Sequence, residues 1–97
     1  MTITKNAEAS KLTLAIEGRI DTTTAPDFEK EIDAITDATE LVLDFSGVEY
    51  ISSAGLRVVL KAQKLMNKNG KMKLTNVNDD VMDVFDITGF LDILTIE

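Results

Sequence analysis

Two adjacent serines, Ser52 and Ser53, are the residues of this chain best placed for chemistry, because Gly55 and a helical pattern follow them directly. The start of a helix presents free backbone N–H groups and the positive end of the helix dipole, and both favour an anion. A serine there can cap the helix, act as a nucleophile or accept a phosphate. Gly55 permits close approach of another backbone or of a phosphate. Spacing alone leaves these three roles open.

The chain contains neither histidine nor cysteine. Disulfides, thiol catalysis, zinc fingers, histidine phosphocarriers and histidine-based triads are therefore excluded. A nucleophilic Ser53 would lack a base, and the Gly-x-Ser-x-Gly pattern of hydrolases is absent. We therefore predict that the protein is not an enzyme.

The charge of the chain is strongly acidic, at −7 over 97 residues. This balance argues against nucleic acid as the main partner and favours a basic protein partner. Asp79, Asp80 and Asp83 could suggest a metal cluster, but no other type of ligand is nearby. Acids are favoured at the start of a helix, so we assign them to that role and predict no metal site.

Other charged residues are predicted to lie near the two serines. Asp21 and Asp44 fall near the ends of strand-like segments, and strand ends border the functional crevice of α/β sheets. Either carboxylate could therefore lie close to Ser53. The helix after Ser53 carries one basic stripe, formed by Arg57, Lys61, Lys64 and Lys68. This stripe is either a solvated face or a surface that steers a partner's acidic groups or a nucleotide's phosphates.

Hydrophobic patterns predict the elements that position these residues. Strands are predicted over residues 3–7, 12–18, 41–45 and 72–77, and helices over residues 25–36, 54–69 and 79–87. The hydroxyls of residues 22–24 are expected to cap the first helix, and Ser46-Gly47 is a turn signal that ends the third strand. Residues 90–96 form either a last strand or a short turn of helix. This order predicts an α/β domain, with a mixed sheet of four or five strands packed against helices on one main face.

The length of the chain predicts one domain, and we expect a monomer. No apolar run is long enough to span a membrane, and residues 1–6 do not form a hydrophobic signal segment. A cytoplasmic location is therefore the default expectation, without a membrane partner.

Residues 44–60, DFSGVEYISSAGLRVVL, closely resemble the central signature of STAS domains. They are most similar to the stand-alone bacterial anti-sigma-factor antagonists. The likeness covers nearly the whole chain and includes IEGRID at residues 16–21, Thr24-Ala25 and residues 76–89. The resemblance implies a STAS domain over residues 1–97 and a function in partner switching, as a regulator of transcription in stress response or sporulation.

In that family, the unmodified antagonist binds an anti-sigma factor that is also a GHKL-type serine kinase, and the sigma factor is released. The kinase then phosphorylates the serine before the Ala-Gly-Leu segment, here Ser53, and a PP2C-type phosphatase removes the phosphate. Ser52 stands where many members carry Asp, and it is the second choice as acceptor. The residues expected to bind the partner are Asp21, Thr24, Asp44, Ser52, Ser53, Ala54, Gly55, Leu56, Arg57 and Lys61.

Two other classes of function remain open. The first is a STAS module that serves as a scaffold, a transport-associated protein or a nucleotide-binding protein with a different partner. No cofactor is predicted beyond such weak nucleotide binding. The second is a small hydrolase that uses Ser53, which the absence of histidine opposes.

Overall fold

The computed structural model describes all residues from 1 to 97. The elements in chain order are β1 (Thr2–Glu8), β2 (Lys11–Ile20), α1 (Ala25–Asp33), β3 (Glu40–Ile51), α2 (Ser53–Asn69), β4 (Lys71–Thr75), α3 (Asp79–Ile87) and a 3₁₀ helix, η1 (Phe90–Asp92). The predicted order of strands and helices is confirmed. None of the helices combines the length and the apolar character that crossing a membrane requires.

The four strands form one mixed sheet in the order β1-β2-β3-β4. β1 and β2 are an antiparallel hairpin, whereas β2, β3 and β4 run parallel to one another. Parallel neighbours need crossover connections, which α1 and α2 supply. Because both right-handed crossovers step in the same direction along the sheet, both helices cover the same face. The predicted mixed sheet backed by helices on one main face is confirmed.

One face of the sheet supplies most of the core. Along β2 the side chains alternate, so that Leu12, Leu14 and Ile16 are buried while Lys11 and Glu17 are exposed. The buried set belongs to a single cluster of 22 residues that also holds the inner faces of all three α-helices. The chain therefore has one hydrophobic core, to which every helix contributes.

The third strand differs from its prediction. We expected it over residues 41–45 with a turn at Ser46-Gly47, but β3 continues to Ile51. Its pairing with β2 shifts by one residue at two places, so β3 carries an extra residue near Ser46 and another near Glu49. A Cβ at position 47 would lie 2.6 Å from Cγ of Glu17. The Ser-Gly pair therefore marks a bulge inside the strand and does not end it.

The end of the chain forms a helical turn, which is the second of the two predicted forms. Residues 90–92 are η1, and Ile96 makes only an isolated bridge to Leu74. The ring of Phe90 stacks on Phe85 with centroids 6.2 Å apart, which packs η1 against α3. The sheet therefore has four strands, and a fifth is not formed.

Candidate functional site

The carboxyl ends of β2 and β3 lie side by side and bring two loops together. Ile20 pairs with Ile51, and the backbone N–H of Ser52 donates to the carbonyl oxygen of Ile20 at 2.8 Å. The turn that follows β2 and the start of α2 therefore form one continuous surface. This is the edge of the sheet at which α/β proteins usually bind their partners.

Ser52 is the N-cap of α2. Its backbone is extended, and its Oγ accepts a hydrogen bond from the N–H of Gly55 at 3.5 Å. Its carbonyl oxygen accepts from the N–H of Leu56 at 2.9 Å, the first bond of the helix. The partly buried Ser52 side chain thus has a structural role as the helix cap.

Ser53 is the first residue of α2, and its side chain is exposed. Its hydroxyl makes no hydrogen bond to another residue of the protein. The N–H groups of Ser53 and Ala54 are at the start of the helix, where they have no carbonyl partner within it. No acidic residue occupies this first turn. The position is therefore open to solvent and suited to a negative group.

Gly55 fits tightly between the ends of β2 and β3. A Cβ on this residue would lie 2.6 Å from Cγ2 of Ile20 and 2.7 Å from Cγ1 of Ile51. Real carbon atoms do not approach so closely, so only glycine allows the start of α2 to sit this near the sheet. Gly55 therefore admits two core side chains on this side of the helix, and not another backbone or a phosphate as its sequence role suggested.

The turn after β2, residues 21–24, is built around the carboxylate of Asp21 and is called the Asp21 turn. Oδ1 of Asp21 accepts from the hydroxyl of Thr23 at 2.7 Å and from its N–H at 3.0 Å. These bonds, the Thr23 hydroxyl first, hold the pKa of Asp21 below its ordinary value. Arg19 adds its guanidinium, with Nε 3.9 Å from Oδ2 of Asp21. Asp21 is therefore charged and organises the turn beside the start of α2.

Thr24 occupies the N-cap position of α1, but the predicted capping by its hydroxyl is wrong. The hydroxyl instead donates to the carbonyl oxygen of Arg19 at 2.8 Å and accepts from the N–H of Asp21 at 2.8 Å. Its backbone is already close to helical, so the side chain is not aimed at the first free N–H groups of the helix. Thr24 therefore stabilises the Asp21 turn.

A shallow depression connects the Asp21 turn to α2. It is lined by Thr22, Ala25, Pro26, Glu29, Ala54, Arg57 and Val58. Arg57 lies one turn after Ser53, is exposed and makes no ion pair within the protein. Ala54 and Arg57, next to Ser53, therefore share one accessible surface with Thr22 of the Asp21 turn, whereas Leu56 is buried at 8% exposure.

Asp44 does not lie at a strand end, and that prediction is wrong. Because of the two bulges, β3 runs on from Asp44 to Ile51 before α2 begins. The carboxylate instead accepts from the side-chain amide of Asn76 and from the N–H of Ser46, each at 3.0 Å. The Asn76 amide, followed by Ser46, lowers the pKa of Asp44. Asp44 thus holds the end of β4 and is separated from Ser53 by the rest of β3.

Lys61 is tied to the first helix and does not belong to a free basic stripe. Its Nζ lies 2.7 Å from Asp33 and 2.8 Å from Glu29, both on α1. These two carboxylates, Asp33 first, raise the pKa of Lys61. The remaining stripe, Arg57, Lys64 and Lys68, is exposed and without acidic partners.

An exposed pair beside the site was missed by sequence reasoning. The guanidinium of Arg19 lies over the ring of Tyr50, 4.3 Å from its centroid, and Tyr50 is 41% exposed. The two residues pair across β2 and β3 only because of the second bulge. Neither the sequence of β2 nor that of β3 indicates this strand register, so the Arg19–Tyr50 pair could not have been predicted from sequence.

These features define a small mixed α/β module with an exposed serine at the start of the helix after its third strand. The family described as "STAS domain" matches residues 1–97, and the chain belongs to this family. It is 36% identical over 99 residues to BtrV of Bordetella bronchiseptica, which is named as a candidate anti-sigma factor antagonist. That match covers 99% of this chain and 85% of BtrV.

Solved structures agree on the fold. A crystal structure of an anti-sigma factor antagonist from Mycobacterium paratuberculosis matches with a TM-score of 0.88 at 23% identity, over 98% of this chain and 83% of that one. The Bacillus cell fate determinant SpoIIAA in its phosphorylated form matches with a TM-score of 0.78 at 15% identity, over 99% and 91%. The predicted family and fold class are thus confirmed.

Proposed function

We propose that the protein is an anti-sigma-factor antagonist whose unphosphorylated form binds an anti-sigma factor and whose binding is switched off by phosphate on Ser53. One observation carries the proposal. Of the two serines, Ser52 is engaged as the helix cap, while Ser53 is exposed with an unbonded hydroxyl. The named relatives support the class of partner, since two of them carry anti-sigma factor antagonist in their descriptions.

The position of Ser53 can hold a phosphate without a change of fold. A phosphoserine carries nearly two negative charges, which the first-turn N–H groups and the helix dipole stabilise. Arg57, one turn further along α2, is an unpaired cation on the same side of the helix. SpoIIAA supports the same chemistry, because a protein of this fold has been solved in a phosphorylated form.

The same phosphate would change what the surface can bind. Its charges would lie next to the depression that α2 shares with the Asp21 turn, and this turn already holds an ionised carboxylate. A partner that is complementary to the neutral serine would lose binding free energy, because the phosphate must be desolvated and is repelled by any nearby acidic group. This loss is on the order of several kcal/mol. That difference is enough to reverse binding, because each 1.4 kcal/mol is about a factor of ten in affinity.

The partners that follow are an anti-sigma factor with GHKL-type serine kinase activity and a PP2C-type phosphatase. In this function the protein is a substrate and a ligand in the cytoplasm, and it performs no catalysis of its own. The alternative, a STAS module with a scaffold, transport-associated or nucleotide-binding role, predicts stable partner binding without phosphorylation.

Co-purification from the native cell, with intact mass measured on the captured protein, tests the proposal. We expect an anti-sigma factor kinase to be bound to the unmodified form, and a second pool with the mass of one phosphate to be free of it. Capture of a transporter or another non-kinase partner by a chain that is never phosphorylated would favour the alternative.

A further inference from the structure

The surface formed by the end of α3 and by η1 exposes apolar side chains that no other residue of positions 1–97 covers. Ile87 is 85% exposed, Leu91 39% and Ile93 47%, and these are three of the five large apolar residues exposed in the whole chain. They fall within seven consecutive positions. We name this surface, Ile87 to Ile93 with the outer side of α3, the α3–η1 face.

The exposure of Ile87 is not caused by poor packing of α3. The inner side of this helix is held by Val81 and Phe85, which are almost completely buried. Phe85 contacts Phe45 of the sheet and Phe90 of η1, with ring centroids 6.3 and 6.2 Å away. The helix is thus firmly oriented by aromatic contacts on its inner side, and Ile87 projects outward as a consequence.

Acids without an ion-pair partner lie on the same helix as Ile87. Asp79, Asp80, Asp83 and Asp86 on α3 are all exposed, and no lysine or arginine occurs after Lys73. The acidic face of α1 is different, because its Glu29, Glu31 and Asp33 are paired with Lys61 and Lys5. The α3–η1 face is therefore an apolar patch with a negative border that the protein itself does not neutralise.

We propose that the α3–η1 face binds a basic amphipathic segment of a partner protein, with the apolar side of that segment on Ile87, Leu91 and Ile93. The lysines or arginines of such a segment would meet the aspartates of α3, so charge and apolar contact agree on one type of occupant. The site is on a different helix from Ser53 and is independent of the phosphorylation switch.

A second copy of the chain fits this face poorly. Its unpaired basic residues are the α2 stripe and the single Lys11, Lys30 and Lys71, and no large apolar residue is exposed on α2. Such a contact would satisfy the aspartates but would leave Ile87 without an apolar partner. An anionic membrane would be repelled by the same aspartates.

The test is a titration of ¹⁵N-labelled protein with a synthetic helical peptide that carries lysines on one face and leucines on the other. We expect chemical-shift changes only for the backbone amides of α3 and η1. A control peptide with glutamate in place of each lysine should not bind. Ile87→Ser should weaken binding about tenfold, as expected for loss of a central apolar contact, while Tyr50→Ser should not.

Two double charge reversals distinguish binding at the α3–η1 face from a general attraction of the basic peptide to an acidic protein. Asp83→Lys with Asp86→Lys should abolish binding, whereas Asp27→Lys with Asp37→Lys, which changes the net charge equally elsewhere, should preserve it. Equal loss in both double variants, or unchanged binding by Ile87→Ser, would overturn the proposal. So would concentration-dependent self-association through the face, because a second copy would then be its occupant.

Discussion

The backbone N–H of Ser52 donates to the carbonyl oxygen of Ile20 at 2.8 Å, and this bond fixes the start of α2 to the end of β2. Through it, the Asp21 turn and Ser53 belong to one surface although they are far apart in the chain. Ser52 is thereby held on both sides, since its Oγ also caps α2. Ser52 is thus a structural residue and Ser53 is accessible, and the first prediction rests on this difference.

Ser53→Ala should abolish phosphorylation and leave stability and kinase binding nearly unchanged, because its hydroxyl makes no bond within the protein. Ser52→Ala should still be phosphorylated but should lose about 1 kcal/mol of stability with its cap. Ser53→Asp should fold normally and bind weakly. Incubation with the partner kinase and ATP, phosphopeptide mapping and urea denaturation measure these effects. Phosphate on Ser52 alone would show that the acceptor has been misassigned.

Charge reversal should have different effects on the melting temperature at Arg57 and at Lys61. Arg57→Glu should weaken partner binding with little change in melting temperature, because Arg57 is exposed and unpaired. Lys61→Glu should lower the melting temperature as well, because it places a third carboxylate beside Asp33 and Glu29. Calorimetric titration with the partner and thermal melts monitored by circular dichroism compare the two. Lys68→Glu, on the distant end of α2, is the control and should leave both quantities unchanged.

Gly55→Ala should destabilise the protein by about 1–3 kcal/mol, since its Cβ would overlap Ile20 and Ile51 in the core. Gly47→Ala is the comparison and should cost less, because its new Cβ would meet only the exposed Glu17, whose Cγ at 2.6 Å can move, while Cα of Glu17 at 3.1 Å needs only a small shift. Urea denaturation of both variants gives the comparison. A larger loss for Gly47→Ala than for Gly55→Ala would contradict the packing described for the start of α2.

The Asp44–Asn76 hydrogen bond should make stability depend on acid pH. The folded pKa of Asp44 lies below its ordinary value of 3.8, so the bond stabilises the fold above that value and is lost as the pH falls through the folded pKa. Asn76→Gly removes the amide but tolerates the left-handed backbone at this position, where φ is 57°. We expect this variant to be less stable than the wild type at pH 7.

The difference between Asn76→Gly and the wild type should shrink as the pH falls below 3.8 and Asp44 becomes protonated in both proteins. Urea denaturation across this range measures it. A difference that stays constant with pH would mean that the amide does not act through the Asp44 carboxylate.

Most of the fold was predictable because its signals are local. The apolar alternation of β2 and the hydroxyl and glycine at the start of α2 are two such signals, and the order of the elements implies parallel strands with helices on one face. Ser53 remains the proposed acceptor on the basis of family resemblance, and the structure shows that Ser52 is engaged in the helix cap while the Ser53 side chain is exposed.

What tertiary structure decided depends on register and on distant partners. Ser46-Gly47 has the composition of a turn, yet pairing with β2 absorbs it as a bulge, carries β3 to Ile51 and removes Asp44 from the site. Lys61 has the helical spacing of a free stripe, yet α1 brings Glu29 and Asp33 to it. Periodicity reports which face of an element a residue occupies, but the neighbour on that face is set by strand register and helix packing, which arise only when the whole core forms.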